Sequence, residues 1–177
     1  MLAPVRVLVV VLVAFAVSTV TAQARETACG PASARAAVRA THLKTKLLGP
    51  DLARVDPKSV DQVICFDFTR DRRVDVAATI ASGGTAGDIG IVVFRASATG
   101  WKVALTSGGY KLGLARIGGD VVATQPNYKT NDANCCPTGG FDHVRYHWNG
   151  SRFAKTRVWH TKTFPPRQLA GHPLNEE

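Results

Sequence analysis

Cysteine is scarce in this chain, four residues in 177. That is too few for a miniature scaffold folded on its disulfides alone, yet enough for two bridges. Also missing are G-x-S-x-G, H-E-x-x-H, a P-loop, C-x-x-C and any paired-carboxylate motif. No recognised arrangement for nucleophilic hydrolysis, zinc chemistry or phosphate cradling is therefore written into the sequence. Past residue 20, no apolar run approaches the roughly 20 residues a spanning helix needs. Apolar residues make up 45% and charged residues 20%, a balance that excludes collagenous, coiled-coil and wholly disordered chains.

The N-terminus holds the one long apolar run. Arg6 is the only charge before Arg25, Val7 to Val20 is almost continuously apolar, and Ala22-Gln23-Ala24 follows. A positive start, a short apolar middle and an A-x-A site predict a secretory signal peptide over 1–24. The expected mature chain starts at Arg25 and has no transmembrane segment. A globular domain is expected over 25–161 and a frayed tail over 162–177, where Pro165-Pro166 and Pro173 stand.

Acids are outnumbered. Lys and Arg total 22 against 13 Asp and Glu, a net charge of +9. Removing the leader removes one cation and no acid, which leaves +8. A basic exported protein meets anionic envelope polymers or surfaces. No reading helix or aromatic-interleaved basic strand is recognisable, so nucleic acid is not expected as the main partner.

Export makes disulfides the default state for Cys29, Cys65, Cys135 and Cys136. Neighbouring Cα atoms lie about 3.8 Å apart, short of the roughly 4.4–6.8 Å that an ordinary bridge spans. The expectation is therefore that Cys29 and Cys65 each pair with one member of Cys135-Cys136, in either order.

Periodicity divides the chain into one helix and many strands. The spacing of Ala36, Ala40, Leu43 and Leu47 predicts a helix over Pro31 to Leu48, stopped by Gly49-Pro50. Arg35, Arg39, His42 and Lys46 form a basic stripe one residue earlier, read as a solvated face. From Val63 on, short β-branched runs alternate with glycine-rich turns such as Gly118-Gly119-Asp120 and Asn149-Gly150. Short connections favour antiparallel neighbours. The expected fold class is α+β, with an N-terminal helix packed on a meandering antiparallel sheet.

Two segments carry candidate chemistry. In Asp67-Phe68-Thr69-Arg70-Asp71-Arg72-Arg73-Val74-Asp75, oxygen-bearing side chains stand at alternate positions between two apolar strands. Such a loop can wrap a hard cation, so Asp67, Thr69, Asp71 and Asp75 are the candidate Ca²⁺ ligands, with no cofactor otherwise required. The pattern resembles the metal loop of FG-GAP/VCBS-type repeats, D-x-[DN]-x-D-G-x-x-D. Thr69 replaces an amide or carboxylate there, and Arg72 replaces the bend glycine. Three arginines among three aspartates leave a self-neutralised turn as the alternative reading. One repeat is visible, too few for a propeller.

The second segment runs from Asn131 through Cys135-Cys136-Pro137-Thr138-Gly139 into Phe141 to Gly150. In a strand, His143, Arg145 and His147 share one face and Val144, Tyr146 and Trp148 the other. The first set is a candidate anion-binding face, and the second is assigned to the core. The C-C-P-[ST]-G run before an aromatic strand and Trp148-Asn149-Gly150 is similar to exported actinobacterial proteins of the LppP/LprE-type lipoprotein family. That resemblance implies export and an envelope location. The expected role is a secreted, non-enzymatic binding module; a small secreted hydrolase is the alternative.

Overall fold

The structure, a computed structural model, describes residues 29–46 and 53–163. The leader over 1–24, nearly all of the tail over 162–177 and the expected end of the helix at Leu48 lie outside the described residues.

Helix α1 spans Pro31–Thr41, with proline at its start, where the fixed φ suits a helix and the missing N–H is not needed. It ends well before Gly49-Pro50. His42 adopts the left-handed conformation at φ 46 and donates its N–H to Arg39 and Val38 carbonyls. The Thr41 hydroxyl donates to the Ala37 carbonyl at 2.8 Å, and the Leu43 N–H to that of Val38. Carbonyls of the last turn are thus satisfied without further helix. The buried face is Ala34, Ala37 and Val38, not the predicted stripe; Ala36 and Ala40 are exposed. That stripe was anchored on Leu43 and Leu47, and the helix stops short of both. Lys44–Thr45 (β1) instead pairs antiparallel with Ala53–Arg54 (β2).

Eight further strands build two sheets where one was expected. Val60–Phe66 (β3), Asp75–Ala81 (β4), Asp88–Ser97 (β5) and Gly100–Gly108 (β6) form the first meander. Gly113–Ile117 (β7), Asp120–Pro126 (β8), Phe141–Trp148 (β9) and Phe153–Thr161 (β10) form the second. Every strand pair is antiparallel. The break falls at Gly109, where a side chain would run into Gln125 and Leu112. Its N–H reaches the Ile89 carbonyl, and the Lys111 and Leu112 N–H groups reach Ala86 and Asp88. The chain is thereby turned back over the start of β5 to begin the second sheet.

Three layers result. On one face of the first sheet, Val76, Ala78, Ile80, Val92 and Phe94 pack with Ala34, Ala37, Val38 and Leu43. On its other face, Ile64, Ala77, Ile91 and Val93 meet Leu114, Val121, Ala123, Trp148 and Phe153 of the second sheet. A sheet covered on both sides needs no polar alternation, which is why β4 reads Val-Ala-Ala-Thr-Ile with every residue buried. Truncating the fully buried Phe94 to alanine would cost about 3–5 kcal/mol.

The disulfides differ from the expected pairing. Cys29 bonds Cys65, with Cα atoms 6.1 Å apart, and Cys135 bonds its neighbour Cys136 across 3.8 Å. Layering explains the correction. Cys29 stands two residues before α1, and Cys65 on β3 packs against the helix-side core. Cys135 and Cys136 belong to the β8–β9 connection of the other sheet. The expected exclusion rested on the ordinary span of a bridge, which a ring closed between adjacent residues does not obey.

Candidate functional site

The β3–β4 loop winds around its own carboxylates. Asp67 accepts the Asp71 N–H at 3.0 Å and the Arg72 N–H at 2.8 Å. Asp71 accepts the Arg73 N–H at 3.1 Å on one oxygen, while Nη2 of Arg95 lies 3.0 Å from the other. One oxygen of Asp75 takes both the N–H and the hydroxyl of Thr69, each at 2.9 Å. The other takes the Ala96 N–H from β5. Burial pushes the Asp75 carboxyl upward, against those hydrogen bonds, which favour its charged form. Arg70 and Arg72 adopt φ of 58 and 66, so Arg72 makes the bend that the resembling repeat gives to glycine. The structure thus brings Asp67, Thr69, Asp71 and Asp75 into one loop and turns each carboxylate oxygen toward a donor of the chain. Among the described residues, no group of three or more His, Cys, Asp or Glu side chains is placed to hold a metal.

His143, Arg145 and His147 do share a face of β9, with Val144, Tyr146 and Trp148 turned to the core. They do not form one cationic surface. His143 is 1% exposed, held between the Thr124 hydroxyl at 2.9 Å and the Thr161 hydroxyl at 2.8 Å. Its ring stacks on Trp159 with centroids 4.9 Å apart. Burial drives its pKa below the ordinary histidine value, so the imidazole is kept neutral. His143 is thus covered within the candidate anion-binding face, because the Thr124 side chain of β8 and the Trp159 and Thr161 side chains of β10 close around it. Arg145 and His147 converge on Asp120 of β8, with His147 Nδ1 2.7 Å from the carboxylate. A carboxylate of the chain already occupies the anion position between them. His160 does not join this set; it lies opposite Asp142, 2.8 Å from its carboxylate. That hydrogen bond holds the Asp142 carboxyl below its usual range.

The outer face of the second sheet continues onto the edge strand β10. Register sets Arg157 opposite Arg145 and Trp159 opposite His143. The Arg157 guanidinium lies 5.5 Å from the Trp159 ring centroid. Between 143 and 163 the chain carries Arg145, Arg152, Lys155, Arg157 and Lys162 and no acid. Residues 155–158 are exposed.

No family model, curated protein or solved structure matches the chain.

Three participants were missed by sequence reasoning. Asp120 was visible only as part of a Gly-Gly-Asp turn, and its role depends on β8 lying beside β9. Arg95 lies 24 residues from Asp71, and nothing local signals that contact. Trp159 was legible as a strand residue; its stacking on His143 follows from register across the Asn149-Gly150 turn.

Proposed function

We propose that the chain is a secreted, non-enzymatic binding module of the cell envelope that takes an anionic polymer on the outer face of its second sheet. The observation that carries this reading is the β9–β10 hairpin, whose stretch from 143 to 163 holds five Lys and Arg residues and no acid and whose Trp159 stacks on His143. A guanidinium lying against Trp159 gives a platform for both charge and stacking. The resemblance of the C-C-P-[ST]-G segment to envelope lipoproteins and the signal-peptide pattern support the location. The β3–β4 loop then serves as a structural clasp, with the Arg95 guanidinium on Asp71 where a Ca²⁺ ion would otherwise bring positive charge.

One form of the hydrolase alternative would use an acid–imidazole–hydroxyl relay. The His147–Asp120 and His160–Asp142 pairs supply two of its parts. Among the described residues, neither imidazole is hydrogen-bonded to a serine.

Chromatography of the purified protein on immobilised polyglutamate and on neutral dextran tests the proposal. Retention on the polyanion alone, reversed by salt, is expected. Replacing Arg157 and Trp159 together by alanine should bring elution to lower salt. Unchanged elution of that variant would remove this face from the contact.

A further inference from the structure

The C-C-P-T-G segment takes no part in the polyanion face, and its chemistry is different. We infer that Cys135–Cys136 is a thiol–disulfide exchange site for dithiol reductants, distinct from the structural bridge Cys29–Cys65.

Two observations point to this. The first is that the pair does nothing evident for the fold. A disulfide stabilises mainly by closing a loop in the unfolded chain, and the benefit grows with loop length. Cys29–Cys65 closes a separation of 36 residues, whereas Cys135–Cys136 closes a separation of one. Both residues of the adjacent pair are exposed, and exposed bridges that contribute little to structure are the labile ones.

The second is that the surrounding loop is held by contacts that do not pass through sulfur. Asp132 accepts the Lys129 N–H at 2.6 Å, and the N–H and hydroxyl of Thr138, each at 2.7 Å. The Thr138 hydroxyl bond is the foremost reason that its carboxyl lies below the ordinary range. Asn127 and Gly140 close the base of the loop at 2.8 Å, and Gly139 returns an N–H to Asn127. The Asn134 carbonyl, which belongs to the peptide leading into Cys135, accepts the Tyr128 hydroxyl at 2.7 Å and the Lys111 ammonium. Tyr110 donates to the Asn134 side chain. Frame and sulfur are therefore separable. The bridge can open and close while Asp132, Asn134 and Asn127 keep the loop in place. Lys111 also sets a positive charge one peptide unit from Cys135, which favours a departing thiolate.

The exchange balances as follows. A thiolate of the incoming dithiol attacks one sulfur of the pair and forms a mixed disulfide, releasing the other cysteine as a thiolate that takes a proton. The second thiol of the reductant then attacks the mixed disulfide. The reductant leaves as a disulfide, and Cys135 and Cys136 are left as two thiols. Two electrons and two protons pass from the reductant to the protein.

The test uses the purified, oxidised full chain treated with graded dithiothreitol, quenched with an alkylating reagent and peptide-mapped. Two alkylated cysteines per chain are expected first, at 135 and 136. Cys29–Cys65 should stay intact, circular dichroism should be unchanged, and the pair should close again when oxidised glutathione is added. A Lys111→Gln variant should lose the pair several-fold more slowly. Reduction of all four cysteines together with unfolding would overturn the inference. So would a map of the oxidised protein in which Cys135 and Cys136 are joined to Cys29 and Cys65, or are already free.

Discussion

Replacing Asp75 by alanine removes the acceptor on which the β3–β4 loop closes. The wild-type carboxylate is fully buried and receives Thr69 N–H, Thr69 hydroxyl and Ala96 N–H. Alanine leaves two backbone donors without their partner. Each buried donor left unsatisfied costs about 1–3 kcal/mol. Against this, the variant no longer buries a charge whose ionised form burial disfavours, which offsets part of that loss. The net expectation is a loss of about 2–4 kcal/mol, since the two donors outweigh the relieved desolvation. Thr69→Val deletes only the hydroxyl contact and should cost about 1 kcal/mol. Urea unfolding monitored by tryptophan fluorescence measures both, and their double variant should lose less than the sum because they share one interaction. An Asp75→Ala chain within 0.5 kcal/mol of wild type, by the about 1 kcal/mol floor for an unmet donor, would refute the reasoning that the loop is clasped by its own carboxylates.

Cys29→Ser should lower unfolding free energy by about 3–4 kcal/mol, from the 36-residue separation in the chain-entropy model, as read by denaturant midpoints under non-reducing conditions. Asp120→Asn should weaken the fold by about 1–3 kcal/mol and at the same time raise the salt needed to elute the protein from polyglutamate, because Arg145 and His147 lose their internal anion. His143 makes stability pH-dependent. Its folded pKa is lowered, so the unfolded chain takes the proton first as pH falls through about 6.5. Its contribution is complete above that value and is lost progressively below it. Urea midpoints should fall on acidification toward pH 5, and a His143→Gln variant should lose this component. Asp75 and Asp88, whose pKa values are raised by burial, act in the opposite direction. The folded chain protonates them before the unfolded chain does, so their effect favours folding as pH falls toward the carboxylate range.

The strands were legible because β-branched runs and glycine turns are local signals: β8 begins at the Gly118-Gly119-Asp120 turn, and β9 and β10 end and begin on either side of Asn149-Gly150. The alternation that sends Val144, Tyr146 and Trp148 inward was equally readable. The division into two sheets was not. It depends on Gly109 packing closely against Gln125 and Leu112, residues whose nearness exists only after folding. The helix face was misplaced because alanines at several phases fit one stripe, and Leu43, which decided among them, belongs to the segment after the helix. The acidic loop was found by spacing alone. Its contact with Arg95 and its closure onto Ala96 are long-range pairings that no window of nine residues contains. The cysteine pairing was hidden for a different reason: the span of an ordinary bridge does not govern a ring closed between adjacent residues.

The ligand face proposed is the outer face of the second sheet, and not the basic helix. Amide hydrogen exchange with and without soluble polyglutamate separates the two directly. Added protection is expected over residues 143–161, with the helix segment bearing Arg35 and Arg39 unchanged. Protection confined to that helix segment, or none in the β9–β10 hairpin, would contradict it.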